Sequence, residues 1–145
     1  MMCLEFLPAA CEDVEIIFSQ CKALIDRYED VDAIDYPRVL QWLRTKIETD
    51  IGMYTRVEWN GTPVAYYCVR EHTDRMELDD LYVLPAYRGQ GIGSRILERC
   101  LSNTNKDINL YVFEQNIGAT SLYQRFGFVV TERVSATRLI MTCRA

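Results

Sequence analysis

Apolar positions along the chain change period several times, and each change marks an element. Leu4 to Leu7 reads as a short strand ended by Pro8. From Cys11 to Tyr28, the residues Val14, Ile17, Phe18, Cys21, Leu24 and Ile25 recur at helical spacing. A polar stretch follows. A second helix is predicted from Pro37, a favoured first-turn residue, through Val39, Leu40, Leu43 and Ile47, with Gly52 closing it. The period then shortens. Met53 to Trp59 alternates, Asn60-Gly61 is a strong hairpin signal, and Val64 to Arg70 returns as a strand apolar on both faces, hence central. Glu71 to Arg75 forms a polar turn before a third strand, Met76 to Leu84.

Beyond Pro85 a glycine-rich turn leads into a helix with Ile92, Ile96, Leu97, Cys100 and Leu101 on one stripe. Asp107 to Phe113 is a strand. Asn116 caps a further helix whose apolar face carries Ala119, Leu122, Tyr123 and Phe126, and Gly127 stops it. Phe128 to Val134 and Arg138 to Cys143 complete the set. The order β-α-α-β-β-β-α-β-α-β-β predicts one α+β domain over residues 1–145, a mixed sheet of about seven strands flanked by about four helices.

Composition narrows the function classes. Of 145 residues, 49% are hydrophobic and 26% charged, which excludes disorder. The 16 basic residues are outnumbered by 21 acidic ones, so no basic face for nucleic acid is expected. No apolar run approaches the ~18 residues of a membrane span. The six cysteines form no C-x-x-C, and His72 is the only histidine, so neither a disulfide framework nor a metal site is predicted. Met1-Met2-Cys3-Leu4-Glu5 lacks the basic start and apolar run of a signal peptide, and the expected location is a reducing cytoplasm. The acid excess is uneven. From Asp26 to Asp35 there are five acids and one base, a local net of -4 out of the total of -5.

The sharpest chemical signal lies between Leu81 and Ser94. A strand, Leu81-Tyr82-Val83, runs through Pro85 into Tyr87-Arg88-Gly89-Gln90-Gly91-Ile92-Gly93 and directly into a helix. A helix N-terminus leaves backbone N–H groups unpaired and carries partial positive charge; glycines let that backbone close around a phosphate. Arg88 adds a fixed charge. The turn lacks the Gly-Lys-Ser/Thr of a P-loop, and neither glycine register supplies the third glycine of a dinucleotide fold.

This segment resembles the acetyl-CoA-binding motif of the GNAT superfamily of N-acetyltransferases, with Arg88, Gly91 and Gly93 at its Gln/Arg-x-x-Gly-x-Gly/Ala positions. A second block, Asn116-Ile117-Gly118-Ala119 followed by Leu122-Tyr123-Gln124-Arg125-Phe126-Gly127-Phe128, is similar to another part of the same family. The resemblance implies a mainly antiparallel sheet and direct transfer of an acetyl group from acetyl-CoA to a primary amine, with no acyl-enzyme. It implies that the backbone of Leu81 and Val83 pairs with the pantetheine arm beside Tyr82. Residues Arg88, Gly89, Gln90, Gly91, Ile92, Gly93 and Ser94 would hold the pyrophosphate, and Asn116 would contact the arm. Arg125 is equally readable as a 3'-phosphate contact or a solvated charge.

By the same resemblance Tyr123, seven residues beyond Asn116, is the general acid for the departing thiolate, and a backbone N–H near Val83 is the oxyanion donor. For the base, Glu77 stands at the family's usual place. Asp79 shares its parity if no bulge intervenes, Asp80 is a third option, and a water relay a fourth. His72 sits on a polar turn and reads as solvated. In such folds the segment between the first two helices walls the acceptor site. Tyr28, Asp30 and Asp32 are therefore the expected substrate-binding residues, which suits a cationic small molecule or a peptide or lysine amine. Relatives often dimerise, which makes a homodimer an option. The rival reading is a non-catalytic acyl-CoA-binding or regulatory domain on the same scaffold.

Overall fold

A computed structural model describes residues 2–145; Met1, part of the segment read as lacking a leader, lies outside them. The strands are β1 (Leu4–Pro8), β2 (Tyr54–Trp59), β3 (Thr62–Glu71), β4 (Arg75–Val83), β5 (Asp107–Phe113), β6 (Val129–Arg133) and β7 (Arg138–Cys143). The helices are α1 (Val14–Tyr28), α2 (Tyr36–Thr49), α3 (Ile92–Ser102) and α4 (Ile117–Arg125). The seven strands form one sheet in the order β1-β2-β3-β4-β5-β7-β6, with β4 and β5 as its single parallel pair. The expected mixed, mainly antiparallel sheet with four helices is what the chain forms.

Local chemistry accounts for the elements. Asn60 and Gly61 both have positive φ, 53° and 77°, as the tight hairpin between β2 and β3 requires. Asp35 caps α2 by accepting from the Arg38 N–H, and Pro37 sits in its first turn. The second helix ends at Thr49 rather than at Gly52, because Ile51–Met53 tightens into a 3-10 turn before β2 begins. Strand β3 is central, as its two-faced apolar run predicts. Val64, Ala65 and Tyr67 join the core beneath α3 and α4, while Tyr66 and Cys68 join the core beneath α1 and α2. All six cysteines are free thiols. No helix among the described residues is long and apolar enough to cross a membrane.

One buried carboxylate ties the second core together. Asp13, just ahead of α1, is 3% exposed and accepts from the Ala10 N–H (2.8 Å), the Tyr66 hydroxyl (2.7 Å) and Arg56 Nη1 (2.9 Å). Asp13→Ala leaves the buried Tyr66 hydroxyl with no acceptor, a loss of about 1–3 kcal/mol per orphaned group. The expected result is a urea midpoint lowered by the equivalent of about 3 kcal/mol; an unchanged midpoint would refute this tie.

The feature that positions the site is a break in the sheet. Strands β4 and β5 pair only over Arg75–Leu78 and Asp107–Leu110, and then diverge while each continues to pair on its other side. A β-bulge coincides with the divergence. Cys68 pairs with Asp80 and Val69 with Leu78, which leaves Asp79 as the extra residue. The apolar rhythm of β4 shows the same slip: Met76, Leu78, Leu81 and Val83 all pack into the core beneath α3 and α4, at steps of two, three and two.

Candidate active site

Two cavities open beside the splayed strands. One, of about 640 Å³, is walled by the end of α1, by β4 from Leu81 to Val83, by the glycine turn and by α4. The other, of about 500 Å³, is walled by α1, α2, the bulge of β4, β5 and β7. They share Leu24, Leu81, Tyr82, Asn116, Ala119 and Tyr123, so they meet where β4 leaves β5.

The larger cavity carries an anion cradle. Gly91 is the N-cap of α3 with φ +80°, and Gly89 has φ +77°. A Cβ built on either would meet nothing within 4 Å, so backbone conformation rather than crowding asks for glycine at both. Among the described residues, the N–H groups from residue 89 through residue 94 have no acceptor in the chain; the first bond of the helix is Arg95 N–H to Gly91 O at 3.1 Å. Gly93 is needed for a different reason. A Cβ there would stand 3.0 Å from Leu122 Cδ2, so its absence lets α3 and α4 approach. Arg88 is fixed by its Nε donating to Val83 O at 3.0 Å. A row of free donors at a helix N-terminus, flanked by Arg88 and Arg125, fits a pyrophosphate and its neighbouring phosphate. Of the residues expected to hold the cofactor, Leu81, Tyr82, Val83, Arg88, Gly89, Gly91, Ile92, Gly93, Ser94, Asn116 and Tyr123 all line this cavity. Gln90 does not.

At the junction, the Tyr123 side chain is 7% exposed and lines both cavities, and no side-chain hydrogen bond holds its hydroxyl among the described residues. Burial, and then the nearby Asp80 charge, hold its proton well above the ordinary tyrosine range. Asn116 caps α4 by accepting from the Ala119 N–H at 3.3 Å.

The acids divide sharply. Glu77 lies where β4 is still paired, opposite Asn109 on β5 and upstream of the splay, and it lines neither cavity. Its Oε1 stands 3.4 Å from His72 Nε2 instead. His72, read as solvated, is thus only partly so. Asp79 reaches the smaller cavity but is held by Lys46 Nζ (2.7 Å) and Arg70 Nε (2.9 Å). Burial pushes its carboxyl up, but the two cations outweigh burial and keep it below the usual carboxylate range. Asp80 also lines the smaller cavity. It accepts from the Tyr54 hydroxyl and, at 2.7 Å, from the Tyr82 hydroxyl. Burial, followed by the Asp79 charge, raises its pKa, and the two phenols offset only part of that. The bulge removes the simple parity that linked Glu77 to Asp79, and it turns the neighbouring Asp79 and Asp80 into one cavity.

The expected acceptor wall is not where the acidic run predicts. Asp30 and Asp32 are exposed on a short 3-10 turn and line neither cavity. Tyr28 stacks on Phe113 at 5.9 Å and faces the larger cavity. Asp26 pairs with Lys22 at 2.8 Å. Of the acids in that run only Glu29 reaches the smaller cavity, where it accepts from the Thr137 hydroxyl at 2.7 Å. The wall is completed by residues the sequence did not single out: Ile34, Val39, Trp42, Lys46, Tyr111 and Arg138. Cys21 is there too, but burial and then the Asp80 charge push its thiol up to about 12, which makes it a poor nucleophile. No cluster of metal-ligating side chains occurs among the described residues.

Comparison with known proteins agrees with this geometry. Residues 17–128 match the sequence profile of the acetyltransferase (GNAT) family. The chain is 33% identical over 100 residues to a mycothiol acetyltransferase of Corynebacterium efficiens, a match covering 63% of this chain and 31% of that protein. It is 28% identical over 123 residues to the peptidyl-lysine N-acetyltransferase YjaB of Salmonella typhimurium, covering 84% and 81%. Thus the chain spans less than a third of the first relative's length but most of the second's. In fold it is similar to the PaiA N-acetyltransferase of Thermoplasma acidophilum, solved in complex with coenzyme A, with a TM-score of 0.74, 20% identity, and 99% and 100% of the two chains covered. With a family profile that spans residues 17–128 and takes in the cradle and every lining residue of the two cavities except Arg138, the chain belongs to the acetyltransferase (GNAT) family.

Proposed function

We propose that the protein transfers an acetyl group from acetyl-CoA directly to a primary amine, with the larger cavity taking the donor and the smaller one the acceptor. The observation that carries this reading is the junction. Two cavities of different chemistry meet at Tyr123, a largely buried residue whose hydroxyl makes no hydrogen bond among the described residues. A domain that only bound acyl-CoA would have no use for a second cavity containing a buried carboxylate.

Acetyl-CoA supplies the acetyl group already activated as a thioester. The N–H groups of residues 89–94 and Arg88 bind its phosphates, and the free edge of β4 from Leu81 to Val83 aligns its extended arm as an added strand. Asp80 takes a proton from the incoming ammonium, so that the nitrogen lone pair can attack the carbonyl carbon. This role falls to Asp80 because Asp79 is neutralised by its cations and Glu77 does not reach the cavity. As the C–S bond breaks, Tyr123 gives its proton to sulfur. The nitrogen's second proton passes through water to the Tyr123 phenolate, and Asp80 gives its proton to solvent, so both groups return to their starting state. The raised Tyr123 pKa keeps the phenol protonated at neutral pH, as a donor must be.

The test is release of free CoA from acetyl-CoA across a panel of primary amines. Tyr123→Phe is expected to lower kcat by about 10²-fold while leaving acetyl-CoA binding in place. A wild-type rate in that variant would remove Tyr123 from the chemistry. Tight acetyl-CoA binding with no CoA released by any amine would favour the non-catalytic reading.

A further inference from the structure

The smaller cavity contains one charged side chain that has no hydrogen-bond or ion-pair partner among the described residues. Arg138, the first residue of β7, lines the cavity wall. Its guanidinium lies over the rings of Tyr111 (5.5 Å) and Phe113 (5.1 Å). Its Nε is buried without a hydrogen-bond partner, and its side chain makes no ion pair among the described residues. Of the other charged groups of the wall, Lys46 holds Asp79 and Glu29 accepts from Thr137 and from the Asp30 N–H at 3.1 Å, while Asp80 accepts from two tyrosines and has no ion-pair partner among the described residues. Arg138 is half-buried, and a guanidinium partly withdrawn from water with its Nε unpaired is costly to hold unless an anion completes it. Two aromatic faces hold its plane, and a planar fork of donors matches a carboxylate in bidentate fashion.

We infer that Arg138 is a specificity-determining residue and that the acceptor is an amine that also carries a carboxylate, bound with its amine at Asp80 and its carboxylate at Arg138. This rests on the smaller cavity being the acceptor site. Ile34, Val39, Trp42 and Leu43 line the same cavity, so an amino-carboxylate with an apolar body matches the lining. The charge pattern differs from that of a polyamine site, because Asp80 is the one carboxylate of the wall left for an amine and the other unpaired group is a cation.

The experiment pairs each of a panel of apolar amino acids and amino-carboxylates with its own amide, adds spermidine, and uses the intact protein. The expected result is a kcat/KM that favours the carboxylate of a pair. In Arg138→Gln this preference falls by roughly 10–100-fold, while the amide changes less than about threefold. Arg138→Lys should restore part of the preference. Calorimetric binding of the same compounds with CoA present separates two kinds of failure. If no amine is acetylated but a carboxylate compound binds and loses affinity in Arg138→Gln, the inference stands and the transferase reading falls. If amides or spermidine are acetylated as well as the carboxylates, or if Arg138→Gln weakens both members of a pair equally, the inference is overturned and the transferase reading stands. Absence of any carboxylate-dependent binding also overturns it.

Discussion

Asp80→Asn is expected to lower kcat by about 10²–10³-fold with little change in acetyl-CoA binding, the range for losing a positioned general base. The substitution keeps the size of the side chain and its place between Tyr54 and Tyr82. It removes the one group in the smaller cavity that is both basic enough and free enough to accept the amine proton. Asp79 cannot replace it, because Lys46 and Arg70 hold that carboxyl below its usual range. The wild-type kcat should rise with pH as Asp80 ionises, and the variant should lose that limb. Stability gives an independent check. The folded pKa of Asp80 is raised, chiefly by burial. Its contribution is therefore fully present below the unfolded value of about 3.9 and is lost as pH rises through the folded value. The stability of the wild type relative to Asp80→Asn should fall as pH is raised from about 4 toward neutrality. Equal activity in the two proteins would remove Asp80 from the mechanism, and a pH-independent stability difference would contradict its raised pKa.

Gly91→Val should weaken acetyl-CoA binding by about 10²-fold, equivalent to ~2.7 kcal/mol. The reason is conformational. No atom lies within 4 Å of where the new Cβ would stand, but the residue sits at φ +80°, where a β-branched side chain is strongly disfavoured. Relaxing that strain rotates the peptide units that aim the free N–H groups of residues 89–94 into the larger cavity. Gly52→Ala is the matched control, since Gly52 also has open surroundings but no positive φ. Binding by Gly52→Ala should equal that of the wild type. Unchanged affinity in Gly91→Val would overturn the cradle.

The elements and the donor side were legible because their signals are local. Helical spacing, an Asn-Gly hairpin and a glycine run at a helix start each depend on a few adjacent residues, and the structure places them within about three residues of expectation. The acceptor side was not legible because it depends on register. Strict alternation puts Glu77 and Asp79 together, whereas the bulge makes Asp79 and Asp80 neighbours in the cavity and leaves Glu77 in the closed part of the sheet. A trace of this was available, since the apolar rhythm of β4 skips a step between Leu78 and Leu81, at the Asp79-Asp80 doublet. The acidic run misled for a related reason. Its charges look like a surface, but Asp26 pairs along its own helix and Asp35 caps the next one, leaving Asp30 and Asp32 to solvent. Arg138 and Lys46 had no signal at all. They meet the site only because β7 and α2 converge on it from distant parts of the chain.

The cavities draw on largely separate stretches of sequence and share only Leu24, Leu81, Tyr82, Asn116, Ala119 and Tyr123. Apart from the end of α1, the larger cavity, the proposed donor site, is written in one block from β4 through the glycine turn and α3 to α4. The smaller cavity, the proposed acceptor site, adds α2, the turn before it, β5 and β7. Substitutions at Ile34, Val39, Trp42 or Arg138 can therefore reshape what is acetylated without disturbing how the donor is gripped. A scaffold partitioned in this way lets new specificities arise by drift at one end while the other stays under unbroken constraint.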